Sequence, residues 1–263
     1  MKMKKLLALG LAGVMALSLA ACGVPGEEDE TQAAGTEAAG SEAAGGETTG
    51  GETADGEKVF RYSVKTEPTS LDSAKSNSIG DNELQQIMGE GLLNNNAGEI
   101  SPGLAEPWEI SDDGLTYTFH LRDAEWPDGE PVTANDFVYA IQRLANPETA
   151  SPGSWVVSGV LKNGAEVIAG TVPVEELGIS APDEKTVVFE LDHPQAYFLS
   201  YVGLNCSFFP QRQDIVEQYG QEYAGSAEKL MTCGAFTMTS SADRAYIFEK
   251  NPAYWDAENI KLD

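Results

Sequence analysis

Reactive side chains are scarce in this chain. Its 263 residues hold two histidines, His120 and His193, and three cysteines, Cys22, Cys206 and Cys233. A zinc hydrolase places two imidazoles one helical turn apart, and no His-Glu-x-x-His is present. A serine hydrolase needs a strained Gly-x-Ser-x-Gly turn, which is also missing. No phosphate-cradling Gly-x-x-x-x-Gly-Lys loop occurs, and no Gly-x-Gly-x-x-Gly follows a strand. His120 lies in an alternating stretch on the face opposite Tyr117 and Phe119, which reads as surface or domain contact. His193 precedes Pro194 and opens a loop. Neither has a Cys or Ser close in sequence for a proton relay. Cys233 has no activating neighbour. With 42 acidic residues, any pair of carboxylates could be named as acid and base, so none is informative. The sequence therefore assigns no catalytic residue, no metal site and no cofactor.

The formal charge is −26 and 41% of the residues are apolar. A core is affordable, but a phosphate backbone needs a basic face, so no nucleic-acid partner is expected. Lys2, Lys4 and Lys5 precede an uncharged apolar run from Leu6 to Leu19. That run is short for a membrane span and reads as a secretory signal. Leu19-Ala20-Ala21-Cys22-Gly23 then resembles a bacterial lipobox, in which cleavage leaves the cysteine to carry lipid. Cys22 is accordingly the expected lipidation site, and two acyl chains would anchor it stably to the extracytoplasmic face of the cell membrane. Two thiols remain, and an oxidising compartment allows Cys206 and Cys233 to pair.

Residues 23–57 are Gly, Ala, Glu, Thr and Ser with about ten acidic groups and no base, a composition that reads as a disordered acidic linker. At about 35 residues its reach is on the order of 30–35 Å. Order is expected from Lys58. Val59 to Val64 reads as a strand. Ile79, Leu84, Ile87, Met88 and Leu92 have helical spacing. Trp108-Glu109-Ile110 and Leu115 to Leu121 flank Ser111-Asp112-Asp113-Gly114 and read as a hairpin. Thr133 caps a helix with the stripe Phe137, Ala140, Ile141 and Leu144, stopped by Pro147. Two strands, Ile179-Ser180 and Thr186 to Leu191, bracket a turn at 182–185. A helix over 211–219 and a strand over 245–249 complete a mixed α/β pattern without βαβ repeats.

Several segments in fixed order carry a resemblance. They are Glu67-Pro68-Thr69-Ser70-Leu71-Asp72, Glu90-Gly91-Leu92-Leu93, and the run from Gly98 to Trp108. The stretch Ser111 to Arg122 and the stretch Trp126-Pro127-Asp128-Gly129-Glu130-Pro131-Val132-Thr133-Ala134-Asn135-Asp136-Phe137 follow. Gly234-Ala235-Phe236 and Asn251-Pro252-Ala253-Tyr254-Trp255-Asp256 come last. Together they resemble the family 5 extracellular solute-binding proteins, whose members serve oligopeptide ABC importers. The resemblance implies a periplasmic-binding-protein type II-like α/β fold that hinges shut on its ligand. It places residues 58–90 and 176–263 in the first lobe and 91–175 in a small inserted domain, with the second lobe missing after Asp263.

The partners so implied are an oligopeptide, the permease subunits of an ABC transporter, and the membrane through the lipid. A receptor for another solute (a nickel complex, haem or a sugar) and a peptide-sensing signalling lipoprotein are the alternatives. Peptide receptors of this family bind an extended chain by its backbone. Their strand-like segment maps onto Asn77, Ser78 and Ile79, expected to contact ligand through backbone N–H and C=O groups. A family tyrosine after Ser-Pro is absent here: Gly153 and Ser154 follow Pro152, and Trp155 is expected to fill its space. Cys233 stands where the family commonly has Asn, so a Cys206–Cys233 bridge would replace hydrogen bonds near the hinge. The family's aspartate for the peptide amino group belongs to the second lobe, so the 263-residue chain is expected to bind peptide weakly.

Overall fold

The structure, a computed structural model, describes residues 48–52, 56 and 58–263. The signal segment, Cys22 and the linker up to residue 47 lie outside the described residues. The first strand, β1 (Thr48–Glu52), pairs antiparallel with β2 (Lys58–Tyr62), with Thr48 opposite Tyr62. This corrects the linker boundary at 57. Backbone pairing needs no apolar side chain, so the polar Thr-Thr-Gly-Gly-Glu run can add to an open strand edge.

Helix α1 (Ile79–Met88) follows, starting at Ser78. It ends short of Leu92. Gly89 follows it in extended backbone, and the Phe209 ring occupies the space a Cβ at 89 would need. The chain then turns through Glu90-Gly91, and Leu92 enters the main core, fully buried. A small hairpin, β3 (Leu93–Asn96) and β4 (Glu99–Pro102), leads into the central sheet.

That sheet contains β5 (Ala105–Ile110), β6 (Thr116–Leu121), β7 (Ile179–Asp183) and β8 (Thr186–Glu190), all antiparallel, in the order β5-β6-β8-β7. Alternation explains it. Tyr117, Phe119 and Leu121 of β6 and Val187 and Phe189 of β8 are buried, while the residues between them are partly or fully exposed. Helix α2 (Ala134–Ala145), followed in the chain by α3 (Gly164–Ile168), joins this core through Phe137, Ile141 and Leu144. Asp136 accepts from Thr133 N at 2.8 Å, fixing the entry to α2, and the helix ends at Asn146 before Pro147. Helix α4 (Phe198–Leu204) supplies Phe198, whose ring centroid lies 4.7 Å from Tyr117 and 5.5 Å from Phe189.

Strand β8 lies between β6 and β7, so this sheet takes strands from both sides of the boundary at 175/176 expected from the sequence. A second core gathers Leu71, Leu84 and Met88 with Val216 of α5 (Gln213–Tyr219), Tyr223, and Met238 of β9 (Phe236–Ser240). Strand β9 pairs with β10 (Ile247–Lys250).

Phe189 is fully buried and touches three other aromatic rings. Phe189→Ala should cost about 3–5 kcal/mol of unfolding free energy. Urea denaturation checks this, and a loss below about 1 kcal/mol would contradict its central position.

Candidate functional site

The three stretches of chain meet at one polar joint. Arg143 lies in the last turn of α2 and donates two parallel hydrogen bonds to Asp72, Nη1 to Oδ1 at 2.7 Å and Nη2 to Oδ2 at 2.6 Å. Both side chains are nearly buried, with 11% and 4% of their surface exposed. Gln211 completes the cluster. Its Oε1 accepts from Arg143 at 3.0 Å, and its Nε2 donates to Ser73 Oγ at 2.7 Å. The guanidinium also faces the Tyr223 ring at 5.5 Å. Burial opposes the Arg143 charge, but the Asp72 hydrogen bonds and charge outweigh it and raise the Arg143 pKa. A second joint holds Glu90, which accepts from Asn94 Nδ2 at 3.0 Å and Tyr254 Oη at 3.2 Å. Burial pushes the Glu90 carboxyl upward against those bonds.

Asn77, Ser78 and Ile79 sit directly on the first of these joints' segments, at the start of α1. Their backbone is committed differently from the sequence expectation. Asp81 Oδ2 accepts from Asn77 N at 3.2 Å, from Ser78 N at 3.1 Å and from Thr69 Oγ1 at 2.9 Å. Its Oδ1 accepts from Thr69 N and from Ser70 N at 3.1 Å, and Ser78 Oγ returns the cap by accepting from Asp81 N at 3.0 Å. The N–H groups of Asn77 and Ser78 are therefore occupied within the chain. What this segment offers outward is the Ile79 side chain, 64% exposed. Burial alone would raise the Asp81 pKa, but the Ser70 and Thr69 N–H groups and the Ser78 and Thr69 hydroxyls hold it below the usual carboxylate range.

Trp155 stands on a helical turn, Ser154–Val156, and is 65% exposed. Gly153, just before it, packs beside Leu144 and Ser207. The Cys206–Phe208 turn thus has the Trp155 turn on one side. On another it has α1, where Asn82 O lies 3.8 Å from Cys206 Sγ. Leu204, 55% exposed, leads into the same turn. Ile79, Trp155 and Leu204 are each exposed, on segments that adjoin the Cys206–Phe208 turn. Leu204 was not among the residues expected from the sequence, and no local pattern marks it. Asp81 was also missed, although Ser78-x-x-Asp81 is a capping pattern that could have revealed it.

The expected bridge between Cys206 and Cys233 is corrected: both are free, buried thiols. Cys206 touches Asn82 near the start of α1, whereas Gly234, next to Cys233, donates to Met88 O at its end. The two cysteines thus belong to segments that meet opposite ends of α1. Burial pushes the Cys206 thiol up to about 12 and raises that of Cys233 as well, which leaves both protonated and inert. Among the described residues, no group of His, Cys, Asp and Glu could hold a metal ion.

The chain belongs to the bacterial extracellular solute-binding proteins, family 5, whose model matches residues 99–263. It is 38% identical over 195 residues to the periplasmic oligopeptide-binding protein OppA of Salmonella typhimurium, covering 73% of this chain and 35% of that protein. It is 38% identical over 197 residues to the periplasmic murein peptide-binding protein MppA of Escherichia coli, covering 73% and 36%. The peptide-bound OppA of Listeria monocytogenes superposes with a TM-score of 0.71 at 33% identity, covering 75% of this chain and 40% of that one. The chain thus spans little more than a third of the length of these relatives and shows part of their periplasmic-binding-protein type II fold.

Two outcomes follow from the joints. Asp72→Ala should cost about 3–5 kcal/mol because it strands a buried guanidinium, whereas the double replacement Asp72→Leu with Arg143→Met should cost much less. Chemical denaturation of both variants checks this. For Asp81, the folded pKa is depressed below the unfolded value of about 3.9. Its contribution is full above that value and is lost as pH falls through the lower folded value. Asp81→Asn should therefore lower stability at neutral pH and flatten its decline below about pH 4, read from thermal melts across pH 2–6.

Proposed function

We propose that this chain is the ligand-gathering portion of a lipid-anchored receptor that captures oligopeptides and delivers them to an ABC importer permease. The observation that carries this reading is the exposure of Ile79, Leu204 and Trp155 around the Cys206–Phe208 turn, on a body of the same fold as a peptide-bound relative. Apolar and aromatic surface accepts the side chains of varied peptides without selecting one sequence. Anchoring through Cys22 would place the protein on the extracytoplasmic face, and the linker would let it range above the membrane to meet the permease. Residues 58–90 and the stretch from α4 onward then form the first lobe, and 91–190 the inserted domain. A peptide would lie across the Ile79–Trp155 face.

Native mass spectrometry of ligands retained by the protein isolated from its host membranes tests the class of solute. Short peptides of mixed sequence are expected, and a nickel complex, haem or a sugar in their place would overturn the proposal. Trp155→Ala tests the face. An aromatic contact is worth about 0.5–1.5 kcal/mol beyond its buried area, so tripeptide affinity by fluorescence titration should fall by up to about tenfold. An unchanged affinity would remove Trp155 from the site.

A further inference from the structure

In an acidic chain, α4 carries no charge at all. Charged residues make up 22% of the sequence, yet residues 194–211 include no Asp, Glu, Lys or Arg. A surface helix ordinarily turns charged or polar residues to water. Two contacts fix how α4 is rotated. Phe198 and Val202 are buried in the main core, and Gly203 lies against β3 at Asn94 and Asn95. The side left over carries Tyr197, Tyr201 and Leu204, spaced four and three residues apart and so on one helical face. Tyr197 is 59% exposed, and Tyr201 is half-buried. The rings form a row. Tyr197 meets Tyr201 edge to face with centroids 6.4 Å apart, and Tyr201 meets Phe208 at 5.6 Å. Phe208 ends the Cys206–Phe208 turn, whose Ser207 lies beside Gly153, two residues before Trp155. Tyr197 belongs to neither hydrophobic core, so packing there does not account for its ring.

We infer that the Tyr197–Tyr201–Leu204 stripe extends the peptide face and selects peptides longer than three residues that carry a large apolar side chain. This rests on the peptide-receptor reading and adds to it the class of peptide. The chemistry of the stripe sets the preference. A charged side chain laid on it would lose water and find no opposite charge, whereas an aromatic one gains buried area and ring contacts. Its length sets the size of the ligand. From Tyr197 to Leu204 a helix advances about 10 Å. An extended peptide covers about 3.3 Å per residue, so the stripe spans about three residues in addition to those at the turn.

NMR titration of the full chain with millimolar pentapeptides, Phe-Ala-Ala-Ala-Phe against all-alanine, tests the stripe. The wild type should prefer the phenylalanine peptide by roughly three- to tenfold, with shifts of the Tyr197 and Tyr201 ring protons. Tyr197→Ala should bring that ratio down towards one, and Tyr197→Phe, which keeps the ring, should restore it. Tyr197 is exposed, so neither variant endangers the fold. An unchanged ratio in Tyr197→Ala overturns the inference and leaves the peptide-receptor reading standing. A wild type that binds neither peptide overturns that reading and the inference with it. A dimer in sedimentation that Tyr197→Ala abolishes would make the stripe an interface between two copies, and would also overturn the inference.

Discussion

The body is held in register by the ion pair between Asp72 and Arg143. Asp72 stands before α1, Arg143 ends α2, and Gln211 precedes α5, so one cluster fixes three stretches separated by up to 139 positions. Hydrophobic packing alone is non-directional, and two apolar surfaces can slide on each other. A bidentate guanidinium–carboxylate pair has one geometry, and breaking it leaves a buried charge. Its value here is placement more than stability. It ties the segment before α1 to the last turn of α2.

Much of this architecture was legible in the chain. The alternation of Tyr117, Phe119 and Leu121 gave the central strand, and Thr133 with Asp136 gave the start of α2, because both signals are local. Where the reading failed, the deciding partner was remote. The glycine that follows α1 is required by Phe209, which packs on Gly89 across 120 positions. The strand pair Ile179–Asp183 and Thr186–Glu190 was recognised, but not that it inserts beside β6, since strand order is a long-range choice. Cys206 and Cys233 looked like a pair only while their distance was unknown.

The site shows the same division. Trp155 and Ile79 are exposed, and Trp155 was singled out only through the family resemblance, as the residue to fill the space of an absent tyrosine. The N–H groups of Asn77 and Ser78, expected to meet ligand, are bonded here to one carboxylate, Asp81. Leu204 joined the face only through the fold of α4 and the turn after it.

This commitment of the backbone decides what the start of α1 offers outward. The Asp81 carboxylate accepts from four backbone N–H groups and a hydroxyl at the entry to α1, which leaves few free donors there, and displacing it would strand a buried charge. Apolar contact is tolerant of sequence, whereas directional hydrogen bonds fix register. At the start of α1 the outward surface is the Ile79 side chain, so contact made there is of the tolerant kind.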